Sequence, residues 1–368
     1  MTSSPNAEVP GSPEDRPPVA VLDADGPPGV AFIRSLGARG VPVDAYSHLW
    51  EAAGRYSRHV RRFHRSPDPL EADGYVDWLA NEMADGRVGL VAPTSDYTVY
   101  ATALAMERAG IVAPHGIADL DTAWRCLHKG VFGELMDSVG FPTAPFRLPT
   151  SLDEALTAAE ELGYPVILKP RSHVGVGLHR GTVVRDASAL AREFGPLRIP
   201  PEASVALDRD SDLGWPMVQR LIPSDRLDVV SIAGCLDRDG DLVSAGLTRK
   251  LAQWPPDVGI GTLFEAVDSA SFSDRAIDAV RAAIGTGVFE LEVCIDRISG
   301  ESFPIDLNPR AFGQVSMEIA RGNDLPAAWY EVVAGTRLRR DPVAEVAPEV
   351  WQAGMTYYPG IAMGLVFG

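Results

Sequence analysis

No stretch of this chain approaches the roughly 18–20 consecutive apolar residues that cross a bilayer, so the sequence offers no membrane span. Its first residues, MTSSPNAEVPGSPEDRPP, have neither the basic start nor the apolar stretch of a secretory leader, and residues 1–17 read as a disordered tail. Cysteine is scarce: Cys126, Cys235 and Cys294 are widely spaced, without a C-x-x-C pair, which leads to the expectation of a reduced, cytoplasmic protein. Positive charge is also short, with 33 Lys and Arg against 50 Asp and Glu and a net charge of −17. Such a surface repels a phosphate backbone, which argues against nucleic acid or an anionic membrane as a partner. It still permits a nucleotide ligand, because a few local cations suffice for one triphosphate. The P-loop pattern G-x-x-x-x-G-K-[ST] is missing, and Gly26-Pro27-Pro28-Gly29 does not fit a dinucleotide fingerprint. Nor does any Ser–His–Asp or Cys–His arrangement suggest a protein nucleophile.

What is present is a long chain of ordinary globular composition. Its 368 residues, 46% hydrophobic and 23% charged, exceed one typical domain and imply two or three folded units. The fold begins at PPVAVLDADG, an apolar run, followed by a helix over 29–39 and a second strand at GVPVDAYS. DGRVGLVAPTSD reads as another strand-to-loop step before a helix through Ala109. Strands alternating with helices predict a parallel sheet with helices on its faces. Loops at the carboxyl ends of such strands are where ligands bind. Pro93 to Asp96 lies on one such loop, though a helix N-cap is the simpler reading of it. Farther on, one helix is expected over 119–139, another over 151–162 capped by Ser151, and then the short strand GYPVILKP. From Trp215 to Val333 the chain is strand-rich, with hairpin turns at Asp239-Gly240 and Ser299-Gly300. Residues 336–368 show no strong period.

The sharpest chemical signal is the second hairpin, FELEVCIDRISGESFPIDLNPR. Phe289, Leu291 and Val293 alternate with Glu290 and Glu292, and Phe303, Ile305 and Leu307 alternate with Asp306 and Asn308. Strand side chains alternate faces, so one face is apolar and the other carries carboxylates. Ser299 stands seven residues from both Glu292 and Asp306. A turn there sets these two carboxylates opposite each other, and Glu290 opposite Asn308. Facing like charges are destabilising, and a hard divalent cation relieves them, as Mg²⁺ does when held by one or two carboxylates plus substrate phosphates. Acidic alternation can equally mark a solvated hairpin face. Arg310, just beyond Pro309, tips the balance, because a guanidinium beside carboxylates and metal suits a phosphate or carboxylate substrate. A second signal is Lys169 at a strand end before the glycine-bearing loop Ser172 to Gly177. Backbone N–H groups of such a loop can cradle phosphates and a lysine adds a compact charge. Taken alone, that loop is more often structural.

The order of these motifs carries more than any one of them. Lys129, Lys169 with its glycine loop, VQRLIPSDRLD, TRK and E-x-E…D-x-N-P-R, in that sequence, resemble the ATP-grasp superfamily over residues 18–335. AFIRSLGARGVPVDAYS, YSRHVRRF and VAPTSD resemble the domain preceding ATP-grasp in the carboxylate–amine ligases, among which D-aspartate ligases and dipeptide-forming enzymes are similar in plan. The resemblance implies an α/β architecture: a Rossmann-like, parallel-sheet pre-ATP-grasp domain over 18–117, then a two-lobed α+β ATP-grasp domain. Its N-terminal lobe, the lid, would cover 118–214 and its C-terminal lobe 215–335, with a C-terminal extension over 336–368. It also implies ATP and Mg²⁺ (or Mn²⁺) as cofactors, and small carboxylate and amine substrates, amino acids among them. A homodimer is the assembly expected.

By the same resemblance Lys129 and Lys169 would contact ATP phosphates, and the loop containing Ser172, His173, Gly175 and Gly177 would close over them. Val218 to Ile222, with Gln219, Arg220 and Leu221, would form the hinge that reads adenine, and Asp225 or Asp228 would lie near the ribose. Arg249 and Lys250 would face the γ-phosphate or acyl phosphate, Glu292, Asp306 and Asn308 would hold the metal, and Arg310 would orient the carboxylate. Arg220 stands where many relatives have Glu, and Asp306 replaces the commoner Glu. Simpler readings remain for single residues: Lys129 on a helix surface, His173 and His179 as loop histidines, and the Trp254 to Gly261 segment as a connection. The implied reaction is acyl phosphate formation followed by attack of an amine. A phosphotransferase, a carboxylase-type enzyme and a non-catalytic nucleotide-binding module are the alternatives on this fold.

Overall fold

The protein is described by a computed structural model over residues 16–174, 181–254, 259–339 and 349–352. Gly175, Gly177 and His179, nearly all of the 1–17 tail and most of 336–368 lie outside the described residues. Among the described residues no helix is long and apolar enough to cross a membrane.

The first sheet has four parallel strands, β1 (Val19–Val21), β2 (Val43–Ser47), β3 (Arg62–Arg65) and β4 (Leu90–Val91), in the order β3-β2-β1-β4. Helices α1 (Pro27–Ala38), α2 (Ala72–Ala84) and α3 (Asp96–Ala109) connect and cover it. The strand order turns back at β1, so the loops after β1 and β4 open a crevice at the carboxyl ends of the strands. Gly29 allows α1 to start hard against the first of these loops: a Cβ there would sit 2.0 Å from the Asp23 carbonyl oxygen. Ser95 caps α3 in a reciprocal capping box with Thr98, and Gly110 ends the helix at φ 67°. On the α1 side, Phe32 and Ile33 pack with Val19, Val43 and, far along the chain, Trp329. Phe32 and Trp329 meet edge to face with centroids 5.5 Å apart. Each such buried aromatic contributes roughly 1.5–3 kcal/mol, so this core welds the first sheet to the last helices.

The expected helix over 119–139 is two helices, α4 (Leu120–Leu127) and α5 (Lys129–Ser138). His128 separates them in an extended conformation and caps α5, its Nδ1 accepting from Val131 N at 3.2 Å. The break has a tertiary cause. His128 bridges to Ser172, Lys129 N donates to Arg171 O at 2.7 Å and His173 N donates to Leu127 O at 2.9 Å. Those bonds tie the loop after Lys169 to the helix junction and set Lys129 at the start of α5.

A small antiparallel sheet follows, with β5 (Phe146–Arg147), β6 (Val166–Lys169), β7 (Thr182–Val184) and β8 (Met217–Arg220) in the order β5-β8-β6-β7. Helices α6 (Leu152–Leu162) and α7 (Ala187–Glu193) back it, through Ala155, Ala159 and Leu190 on Val166, Leu168 and Val218. The third sheet comprises β9 (Leu227–Leu236), β10 (Leu242–Trp254), β11 (Ile260–Val267), β12 (Gly287–Asp296), β13 (Ser302–Asn308) and β14 (Val350–Gln352), in the order β13-β12-β9-β10-β11-β14. Helix α8 (Ser273–Ile284) covers one face, against Ile232, Phe289 and Leu291. Helices α9 (Val315–Ala320) and α10 (Leu325–Ala334) lie on the other side, against Ala233 and Val288. Strand β14, three residues in a stretch without sequence period, pairs with the β11 edge.

Candidate active site

The second hairpin has the register its sequence predicts: Glu292 pairs with Asp306 and Glu290 with Asn308. A register shift between Glu292 and Val293 leaves Ile305 without a partner in the ladder and does not disturb these pairs. Leu291 and Leu307 point into the α8 core, while Glu290, Glu292, Asp306 and Asn308 share the opposite face. That face looks into a cavity of about 990 Å³ between the small and the large sheet.

Most residues singled out in the sequence line this cavity. From the small sheet and its loop come Lys169, Ser172 and His173, and from the strand and turn after it Gln219, Arg220, Leu221, Ile222 and Asp225. Lys129, Lys250, Glu292 and Asp306 line its charged end, and Gly259 and Ile260 lie at its wall. Asn308 and Arg310 stand just behind Asp306: the Arg310 Nη2 donates to Asn308 Oδ1 at 2.9 Å. Two residues are not brought to the cavity. Arg249 neighbours Lys250 on β10 and so faces the other way, ion-paired to Glu265 and 3.9 Å from Asp228. Asp228 binds Arg297 at 3.0 Å. Strand alternation, which the TRK motif conceals, separates Arg249 from Lys250.

The charged end is a lattice of opposed charges. Lys250 Nζ lies 2.9 Å from Glu292 Oε1. Asp306 Oδ1 receives Lys129 Nζ at 3.4 Å and His173 Nε2 at 2.5 Å. Burial acts to raise the Asp306 carboxyl, but the charges of His173, Lys129 and Arg310 and the histidine hydrogen bond outweigh it and hold it far below the usual carboxylate range. Burial likewise opposes the charge on Lys250, and Glu292 more than restores it, leaving the amine above its ordinary value. Among the described residues no carboxylate pairs with Lys169; its Nζ donates to Gln219 Oε1 at 2.9 Å, and Gln219 Nε2 in turn donates to Ala144 O at 3.0 Å. Burial, then the charge of Lys129, pull Lys169 down to about 8. Glu290 is pushed up to about 7 by burial and by Glu292, and accepts from Asn308 Nδ2 at 3.2 Å and Gln314 Nε2 at 2.8 Å.

Among the described residues no group of three or more His, Cys, Asp and Glu is arranged to hold a metal. The two carboxylates Glu292 and Asp306, with the Asn308 amide oxygen, nevertheless make a set of hard oxygen donors of the kind a small divalent cation takes when phosphate oxygens complete its shell. Cys294 also lines the cavity, but burial pushes its thiol up to about 11, which suits no nucleophile at neutral pH.

Sequence reasoning did not assign Asp96 or Arg185, and both line the cavity. Asp96 had a signal, its loop lying at the carboxyl end of a parallel strand. Arg185 had none, since a lone arginine after a short strand resembles any surface residue.

The family model of the carbamoyl-phosphate synthase L chain ATP-binding domain matches residues 128–197. The carbamoyl phosphate synthase large chain of Corynebacterium glutamicum is 24% identical over 265 residues, covering 67% of this chain and 22% of that protein. The chain thus spans about a fifth of that relative's length. The biotin carboxylase domain of Hydrogenobacter thermophilus 2-oxoglutarate carboxylase, solved with MgADP, ADP and bicarbonate, matches with a TM-score of 0.68 at 18% identity, covering 88% of this chain and 71% of that one. The L-amino acid ligase of Bacillus licheniformis matches with a TM-score of 0.65 at 16% identity, covering 87% and 74%. The fold is that of ATP-grasp proteins, with a parallel sheet ahead of two antiparallel ones. The chain shares that fold with these proteins.

Proposed function

We propose that this protein is an ATP-dependent carboxylate–amine ligase, which activates a carboxylate as an acyl phosphate and passes it to an amine, releasing ADP and phosphate. The observation that carries the reading is the lining of the cavity, where Lys129, Lys169 and Lys250 converge with Glu292 and Asp306 and the apolar Ile167, Leu221 and Ile222 form another part of the wall. A triphosphate matches the charged lining and an adenine the apolar one. Lys129, Lys169 and Lys250 would bind the phosphates, with the loop from Ser172 closing over them. Gln219 to Ile222 would lie along the base, and Asp225 near the ribose. Glu292, Asp306 and Asn308 would hold Mg²⁺ or Mn²⁺, which when bound neutralises phosphate charge. Arg310 would orient the acid. In this division residues 18–117 form the domain ahead of ATP-grasp, 118–214 and 215–335 its two lobes, and 336–368 an extension.

The chemistry needs no protein nucleophile. An oxygen of the carboxylate attacks the γ-phosphorus and ADP leaves; the amine then attacks the acyl carbon and phosphate leaves. The residues above position the reactants and offset their charge. A second reading, with bicarbonate as the acid, draws on the likeness to a carboxylase solved with bicarbonate. One experiment separates the two. The purified protein, with ATP and Mg²⁺, is given amino acids in pairs, or bicarbonate with an amine. Amino-acid-dependent ADP and phosphate are expected; release that needs bicarbonate supports the second reading, and release of AMP and pyrophosphate defeats both.

The depressed Lys169 gives a pH signature. Its ammonium must be charged to hold a phosphate, and in the free protein it loses its proton near pH 8. Binding of an anion raises that pKa, so binding takes up a proton above pH 8. Affinity for ADP, measured by titration calorimetry, is therefore expected to be flat below about pH 7.5 and to fall above pH 8 by up to ~tenfold per unit. Lys169→Met should bind ADP roughly ten- to a hundredfold more weakly at pH 7 and lose this slope. A variant that binds as tightly as the parent removes Lys169 from the phosphate site.

A further inference from the structure

Asp96 opens α3, directly after the loop from β4 of the first sheet, yet it lines the cavity at its charged end. There it accepts a hydrogen bond from Arg310 Nε, and its other oxygen lies 3.8 Å from His173 Nδ1. The backbone repeats the connection, because Ala311 N donates to Pro93 O at 2.8 Å. Arg310 is engaged on every side by the protein: Nε on Asp96, Nη1 on Ala311 O at 2.8 Å, and Nη2 on Asn308 Oδ1 at 2.9 Å. A guanidinium has five N–H donors, and these three bonds use three of them, leaving one on each Nη outside them.

We propose that Asp96 is a positioning residue: it holds the Nε edge of Arg310, so that the acid substrate meets the guanidinium only through its Nη edge. The proposal rests on the ligase reading of the cavity. It gives the first sheet a part in the chemistry, since the start of α3, at the sheet's switch point, aims a residue that follows β13. Without the Asp96 carboxylate, a buried guanidinium keeps two weaker anchors and can turn its fork off line. Sequence separation hides the pair, 214 residues apart, and Ser95 beside it does what a helix cap does, so the whole loop reads as a cap.

Two variants test it. Asp96→Asn keeps an oxygen for Arg310 Nε and removes the charge; Asp96→Ala removes both. With the twenty protein amino acids supplied together as acid and amine, Asp96→Ala is expected to lower ADP release roughly ten- to a hundredfold, and Asp96→Asn less. ADP affinity should stay within about twofold of the parent. In an Arg310→Lys background the Asp96→Ala change should cost less than about twofold, because the group it acts through is gone. Costs that multiply in the double variant overturn the proposal. A measurement without substrate runs beside this one: the ¹⁵N-correlated Nε–H resonance of Arg310, assigned by its loss in Arg310→Lys. It is expected to shift in Asp96→Asn and to broaden or vanish in Asp96→Ala. An unmoved resonance overturns the proposal even if Asp96→Ala fails to fold, because Asp96→Asn then carries the test. Absence of ADP release from the parent protein with any amino acid defeats the substrate reading alone, and leaves Asp96 to be decided by the resonance.

Discussion

Asp306→Ala is expected to abolish metal-supported turnover while leaving the bare nucleotide bound as well as before, or better. Asp306 holds Lys129 and His173 on one oxygen and feels the charge of Arg310. Its loss removes one of two carboxylates from the proposed metal site and at the same time makes the pocket more positive. A bound divalent cation contributes several kcal/mol to phosphoryl transfer, and about 4 kcal/mol corresponds to roughly a thousandfold in rate. Turnover at low millimolar Mg²⁺ should therefore fall by roughly a thousandfold or more, whereas ADP affinity measured in excess chelator should hold or rise. Asp306→Glu, which restores the carboxylate on a longer stem, should recover a substantial part of the activity. Normal turnover of Asp306→Ala at low millimolar Mg²⁺ would remove the metal assignment. A parallel fall in chelator-stage ADP affinity would instead make Asp306 a determinant of the nucleotide pocket.

Arg310→Lys separates binding from chemistry in a different way. The guanidinium meets three partners along three directions, Asp96, Asn308 and the Ala311 carbonyl. An ammonium is a point charge and cannot reproduce that planar array. The substitution keeps the net charge, so nucleotide affinity should change by less than about threefold, but orientation of the acid is lost and turnover should fall roughly a hundredfold. Positional isotope exchange reports the step affected. With ATP carrying ¹⁸O in the β,γ-bridge, the acid present and the amine withheld, the parent protein should scramble the label through reversible acyl phosphate formation, and Arg310→Lys should scramble it far more slowly. Equal scrambling in the two proteins would move Arg310 to a later step. AMP as the nucleotide product would replace the acyl phosphate by an adenylate.

Local order was legible in the sequence wherever neighbours along the chain decide it. Ser151 and Ser95 cap the helices that follow them, because a side-chain oxygen three residues from an amide closes the cap without outside help. The facing of Glu292 and Asp306 follows from alternation and a turn, both short-range properties. The break at His128 does not: the helical pattern runs through 119–139, and only the strand-like bridge to Ser172, far along the chain, pulls that residue out of helix. Arg249 and Lys250 are adjacent letters that the pleat of β10 sends to opposite faces, one to Glu265 and Asp228, the other to Glu292. Strand β14 is formed by pairing to an edge of β11. The sequence by itself therefore determined the kinds of groups available and their local register: cations before a glycine loop, paired carboxylates across a hairpin, a parallel sheet ahead of them. Tertiary structure alone decided which cation meets which anion, and it put Asp96, at the start of α3, against Arg310. A charge pair reaches only a few ångströms, and packing of three sheets, not spacing along the chain, sets distances on that scale.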